Sequence, residues 1–231
     1  MNKYNYRNNY MEDDERPRWN KETIPLEGRC YIYDDEHGKP LYETEKGVNP
    51  DGEKAWCCRW FSDDPEFEGS YYKQAQGDTP WVLYKLPELL KSRGDEIVFI
   101  PEGEKDVDRL RAAGLVATCN PCGACMWRPE FSKYLKGRDV VILVDNDDAG
   151  ERHAEKVISA LKGVVSSIKI VRFPDLPEKG DVSDWLEGGN SVADLLELVE
   201  ATETVVFSIR VCGGSIAENG DEVEARLLDA G

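Results

Sequence analysis

"DVVILVDNDDAGERHAEKV", residues 139–157, runs five aliphatic side chains, Val140 to Val144, into the acids Asp145, Asp147 and Asp148. An unbroken Val/Ile/Leu run of this length, closed by polar residues, reads as a strand buried on both faces. Two unit charges about 4 Å apart repel by roughly 1 kcal/mol in water, and by several-fold more at a partly buried site. A divalent cation is the natural counter-charge where such acids meet the end of a buried strand. Side chains alternate along extended backbone, so Asp145 and Asp147 point to one side and Asn146 to the other. Asp148 followed three residues later by Glu151 has capping-box spacing, and Asp148 is expected to cap the next helix. Ala154, Val157, Ile158 and Leu161 then form its buried stripe.

The same alternation extends outward. Ile97–Ile100 is a short apolar strand, and "EGEKDVDRLRAAG" carries Val107, Leu110 and Ala113 at helical spacing with Gly114 as the stop. Glu104 and Asp106 read as first-turn acids favoured by the helix dipole. Leu115–Thr118 is a second strand, "RPEFSKYLKG" a short helix, and Ser167–Arg172 a fourth strand. "KGDVSDWLEGG" and "SVADLLELVEAT" supply a loop and terminal helices. Repeated β-α units imply an α/β fold, a mainly parallel sheet flanked by helices. Ahead of it, residues 1–28 read as a flexible arm and 29–95 as a small β-rich subdomain. Within that subdomain "CYIYDDEHGKPLYETE" is a hairpin, "KAWCCRWF" and "GSYYKQAQ" are further strands, and "WVLYKLPELLKSRG" is a strand leading into a helix. Residues 206–231 form a tail or hairpin.

Composition narrows the classes. The formal net charge is −17, which favours solubility and argues against a broad basic face gripping duplex nucleic acid. Contacts to nucleic acid are then local, metal-assisted or shared. No apolar leader or bilayer-length stretch is seen, so the expected compartment is cytoplasmic, with no membrane partner. Cys119, Cys122 and Cys125 have the spacing C-x2-C-x2-C, but the adjacent Cys57 and Cys58 suit one tetrahedral ion poorly. These cysteines are read as reduced thiols, and zinc is not expected. No P-loop and no nucleophile elbow occur.

In an open parallel sheet, ligands bind beyond the carboxyl ends of the strands. That rule selects Glu102, after Ile97–Ile100, with Asp145 and Asp147; Asp181 and Asp184 follow the fourth strand and could close on the same crevice. Asp184 has a competing role as a cap for "WLEGG", and Asp106 is a further candidate ligand or support. Oxygen donors of this kind suit Mg²⁺ or Mn²⁺. Lys105 is a candidate phosphate contact or a solvated helix lysine. Arg59, Lys73 and Lys85 interleave with Trp56, Trp60, Phe61, Tyr71, Tyr72, Trp81 and Tyr84. Such interleaving suits single-strand stacking or, more simply, an aromatic β core.

A Glu after a first strand, D-x-D after a later strand, and then a third acidic loop together resemble the Toprim domain. That domain is shared by DnaG-type primases, type IA and II topoisomerases, OLD-family nucleases and ribosomal-RNA maturases. "IPEGEKDVDRL" resembles its Glu motif, "VILVDNDDAGERHA" its D-x-D motif and "KGDVSDWL" its third element, while "LYKLPELL" is similar to phage and plasmid primase–helicase segments. The resemblance implies a Rossmann-like catalytic domain over residues 96–205 and metal-dependent nucleotidyl transfer. It implies Glu102 as general acid/base, and Asp145, Asp147 and an assisting Asp181 as holders of Mg²⁺ or Mn²⁺. The implied partners are a single-stranded DNA template, nucleotides and a separate helicase or other replication protein. A Toprim nuclease and a non-catalytic nucleic-acid-binding module remain as alternatives.

Overall fold

The computed structural model describes residues 22–61, 72–73 and 77–207. The expected arm therefore lies outside the described residues up to residue 21, as does the expected tail from residue 208 onward. Four strands, β1 (Ile24–Asp34), β2 (Pro40–Val48), β3 (Lys54–Phe61) and β4 (Tyr72–Lys73), form an antiparallel sheet in sequential order. Strand β1 starts at Ile24, inside the segment read as an arm. Ile24 and Pro25 pair with Val48 and Gly47, then the chain bulges before Cys30 resumes the ladder. Gly28, at φ 69°, lies in that bulge.

One face of this sheet carries Tyr33, Tyr42 and Trp60 in register. Tyr33 and Tyr42 stack at 4.7 Å, and Trp60 meets Trp81 edge-on at 4.7 Å. The expected strand at "WVLY" is absent, although Val82, Leu83 and Tyr84 are buried. The Tyr42 hydroxyl accepts from the Val82 N–H and donates to the Val82 carbonyl, so a side chain replaces the ladder partner. The expected helix follows as α1 (Leu86–Lys91).

The second sheet is parallel, in the order β6 (Val116–Ala117), β5 (Val98–Ile100), β7 (Asp139–Val144), β8 (Ser167–Arg172). Val140 to Val144 are all buried in β7, as a strand covered on both faces requires. Helices α2 (Glu104–Ala112) and α3 (Asp148–Leu161) follow β5 and β7, and α4 (Val182–Glu187) and α5 (Val192–Ala201) follow β8. The "RPEFSKYLKG" segment is a 3₁₀ turn over Pro129–Leu135. At the far edge, Thr204 bridges Lys169 of β8 in antiparallel sense.

The two sheets share one apolar core, and a buried charge joins them. Glu104, 1% exposed at the start of α2, accepts from the Tyr33 hydroxyl at 2.9 Å and the Thr44 hydroxyl at 3.1 Å. It also pairs with Lys46 Nζ at 2.9 Å. Burial alone would push its pKa up, but Lys46 more than offsets this and holds it below the ordinary value. Glu104 does lie in the first turn of α2, as its position implied, but it is buried and its partners come from β1 and β2, distant in sequence. Removing one member of a buried pair commonly costs about 3–5 kcal/mol, and partial exposure of Lys46 places this case at the low end. Glu104→Ala should therefore lower unfolding free energy by about 3 kcal/mol in urea titration, with both sheets melting together. A loss under about 1 kcal/mol would show that the network joins nothing.

Candidate functional site

The crevice lies beyond the carboxyl ends of β5 and β7. Glu102 leaves β5 after Pro101 and is pushed up to about 7, first by burial and then by Asp147 and Asp106. Lys46 and the Ala124 N–H oppose that shift. Its Oε2 is buried without a hydrogen-bond partner. Asp145, the first residue past β7, is pushed up to about 8 by burial and then by Glu102, Asp106, Asp181 and Asp147. Asp106, on the first turn of α2, rises to about 6 through burial and Asp181. Five carboxylates therefore sense one another across one crevice.

Local chemistry explains how the acids are held so close. Asp147, not Asp148, caps α3: its side chain accepts from the Gly150 N–H at 2.8 Å. The helix starts one residue earlier than its acidic pattern implied. Glu151, expected in the capping box, instead pairs with Arg172 through two 2.6 Å contacts. Gly150 is required for a different reason. A Cβ there would sit 2.4 Å from the Asp145 carbonyl oxygen, so only glycine lets the first turn of α3 pack onto the D-x-D backbone. The chain bends after β7, with the Asp147 N–H donating to the Asp145 carbonyl at 2.8 Å. The expected extended alternation over 145–147 therefore does not hold, and Asn146 latches a second loop. Its N–H donates to Gly180 O and its side-chain amide to Leu176 O, while its carbonyl accepts from Lys179 N. This latch carries Asp181 to the crevice.

Asp181 caps α4, its Oδ1 accepting from Asp184 N at 3.0 Å, while Asp184 Oδ2 accepts from Asp181 N at 3.1 Å. The competing reading of Asp184 as the cap is displaced by three residues: Asp184 is exposed and sits at the third position of the capping box. Lys105 Nζ donates to Asp181 Oδ2 and lies 3.6 Å from Asp106 Oδ1. Ser183 Oγ donates to that same Asp106 oxygen at 2.5 Å.

The other cations expected at phosphate sit elsewhere. Arg59 pairs with Glu43 and Glu45, at 2.7 and 2.6 Å, on the sheet face opposite Tyr42. Lys85 lies 3.9 Å from Asp108 and 4.8 Å from the Tyr84 ring centroid. The Lys73 side chain lies outside the described residues, as do those of Tyr71 and Tyr72. Two cations not singled out from the sequence do face the crevice. Lys46 opposes the upward shift of Glu102, and Arg29, bonded to Tyr31 at 3.3 Å, senses Asp106 and Asp181. The only sequence signal for Lys46 was a cation on the inward-facing parity of β2.

The cysteine loop borders the same site. Cys122 and Cys125 take positive φ, 68° and 61°, and the Cys125 N–H donates to His153 Nδ1 on α3 at 3.1 Å. Burial pushes His153 down to about 4, keeping it neutral for that bond. Among the described residues, no three His, Cys, Asp or Glu side chains already form a closed metal-ligand set. Glu102, Asp145 and Asp147 offer oxygen donors, one of them buried and unpartnered, which fits a hard divalent ion such as Mg²⁺ or Mn²⁺.

A family profile described as Toprim-like matches residues 114–186. The fold is similar to the Aquifex aeolicus primase (zinc-binding and RNA polymerase domains) at 20% identity and TM-score 0.52, covering 80% of this chain and 45% of that one. It is similar to the E. coli primase catalytic core at 16% identity and TM-score 0.52, covering 79% of this chain and 53% of that one. A DnaG primase catalytic domain bound to single-stranded DNA aligns at 16% identity and TM-score 0.51, with 75% and 52% covered. The chain spans about half the length of these structures, and no curated protein matches it in sequence. Residues 114–186 thus match a Toprim-like family, within a fold similar to that of primase catalytic cores.

The crowded acids have a pH signature. A group whose folded pKa is raised stabilises the fold at low pH and loses that contribution as pH climbs through the folded value. For Asp145 and Glu102 the loss runs from about pH 4 to about 8 and 7 respectively. Metal-free protein should lose roughly 1 kcal/mol per pH unit between pH 6 and 8, about 2–4 °C in Tm, after discounting for partial exposure. Asp145→Asn should flatten that slope in thermal melts. An unchanged slope would mean that Asp145 is already ionised without cost.

Proposed function

We propose that this chain is the catalytic part of a primase-like nucleotidyltransferase that makes short primers on single-stranded DNA. The observation that carries the reading is Glu102. Its unpartnered Oε2 and a pKa pushed up to about 7 suit a group that takes and returns a proton near neutrality, and it stands beside the D-x-D pair. The primase-like fold, including the antiparallel sheet ahead of the Toprim domain, supports synthesis over cleavage, which the same carboxylates could serve with water as nucleophile.

Asp145 and Asp147 would hold Mg²⁺ or Mn²⁺ with Glu102 at the edge of the same crevice. When bound, the ion would neutralise phosphate charge and orient the reacting oxygens. The primer's 3′-hydroxyl would deliver its proton to Glu102 as its oxygen bonds the α-phosphorus of the incoming nucleotide, and pyrophosphate would leave. Lys46 holds Glu102 back from a still higher pKa, keeping a fraction ionised and ready to accept that proton. The setting we infer is phage or plasmid replication in a bacterial cytoplasm, with a separate helicase as partner.

The decisive comparison is Glu102→Gln against the parent on single-stranded templates with labelled nucleotides. Turnover should fall by roughly 10²–10⁴, with Mn²⁺ affinity and template affinity nearly intact. Asp145→Asn should weaken Mn²⁺ binding and synthesis together. Equal synthesis by parent and Glu102→Gln would remove Glu102 from the chemistry. Cleavage without synthesis would support the nuclease, and neither activity, with both metals and partners supplied, a binding module.

A further inference from the structure

The acids of the crevice divide by what their oxygens already hold. Among the described residues, Glu102 Oε2 is buried with no partner, no hydrogen bond reaches the Asp145 side chain, and Asp147 commits Oδ1 to its cap. On the other side both oxygens of Asp181 are used, Oδ1 by the Asp184 N–H and Oδ2 by Lys105. Asp106 Oδ1 receives the Ser183 hydroxyl and faces Lys105 at 3.6 Å. Asp106 and Asp181 also share a side-chain hydrogen bond, so the two carboxyls are tied to each other as well as to Lys105.

We propose that Lys105 is a built-in cation standing where a second divalent ion would otherwise sit, so that the chain binds one such ion, at Asp145 and Asp147 beside Glu102. The proposal rests on the metal-site reading above and adds its stoichiometry. An ammonium is a compact charge with three donors, suited to bridging two carboxylates that cannot both stay ionised at close range unaided. Of the two other cations near these acids, Lys46 pairs with Glu104 and Arg29 bonds to the Tyr31 hydroxyl, so neither replaces Lys105. A divalent ion entering beside Asp181 would have to displace Lys105, and using Oδ1 as well would uncap α4. On the Glu102 side an ion displaces no cation. Asp181 is accordingly a positioning residue: it fixes Lys105 and the start of α4, and it does not ligate the ion.

Mn²⁺ itself is the probe, counted by calorimetry and by electron paramagnetic resonance of the unbound ion. The parent should bind one Mn²⁺ per chain, and Lys105→Arg should also bind one. Lys105→Met, which keeps helix propensity, should admit a second ion that is lost again when Asp181→Asn is added. In the parent background Asp181→Asn, whose amide can still cap α4, should change the Mn²⁺ Kd less than threefold, against more than tenfold for Asp145→Asn. Two ions in the parent, a single ion in folded Lys105→Met, or an Asp181→Asn loss equal to that of Asp145→Asn would overturn the lysine assignment and leave the metal site standing. A parent that binds no Mn²⁺ would instead remove the site itself.

Discussion

The Glu104 carboxylate is the joint on which the arrangement depends. A charge with 1% exposure survives only if the desolvation cost is met by specific partners. Here they are the hydroxyls of Tyr33 and Thr44 and the ammonium of Lys46, all from the antiparallel sheet. Because Glu104 is also the first residue of α2, the same contacts set where α2 begins. Glu102 lies two residues before it and Lys105 one residue after, so the sheet joint and the crevice share a short stretch of chain. Stacked tyrosines beneath the joint remove water and strengthen its electrostatics.

The crevice is held against its own repulsion. Burial and mutual proximity raise Glu102, Asp145 and Asp106 together, so none of them is placed for stability. The surrounding structure keeps them there by contacts that do not involve the free carboxylate oxygens. Gly150 lets α3 close onto Asp145, Asn146 latches the loop that brings Asp181, and His153 pins the cysteine loop. Local stability given up by the acids is recovered in backbone hydrogen bonds around them, a common arrangement at reactive sites.

Much of the Toprim half was legible in the chain itself. The strand at Ser167–Arg172 has the expected bounds, and β7 adds only Asp139 to the expected run. β7 is an apolar run, and β8 carries Ile168 and Val171 inward among polar residues, so the burial of both follows from their own side chains. The carboxylates at the strand ends were legible for the same reason, since acids following a buried strand have few places to go. Capping was less so. Asp147 and Asp148 are chemically identical candidates one residue apart, and only the backbone turn chose Asp147. "WVLY" looked like a strand because its side chains are apolar, but its amides meet a tyrosine hydroxyl.

Sequence alone thus determined the order of α and β elements and the placement of Glu102, Asp145 and Asp147 at strand ends. Those are consequences of hydrophobic periodicity, which is written in neighbouring residues. Tertiary structure alone decided which charges are neutralised and by what: Glu104 by Lys46 from β2, Asp181 by Lys105, Arg59 by Glu43 and Glu45. Charge pairing depends on a few ångströms of separation between segments as many as 78 residues apart, as for Arg109 and Glu187. Side-chain identity says that a lysine is present; only packing says whether it meets solvent, substrate or a buried acid.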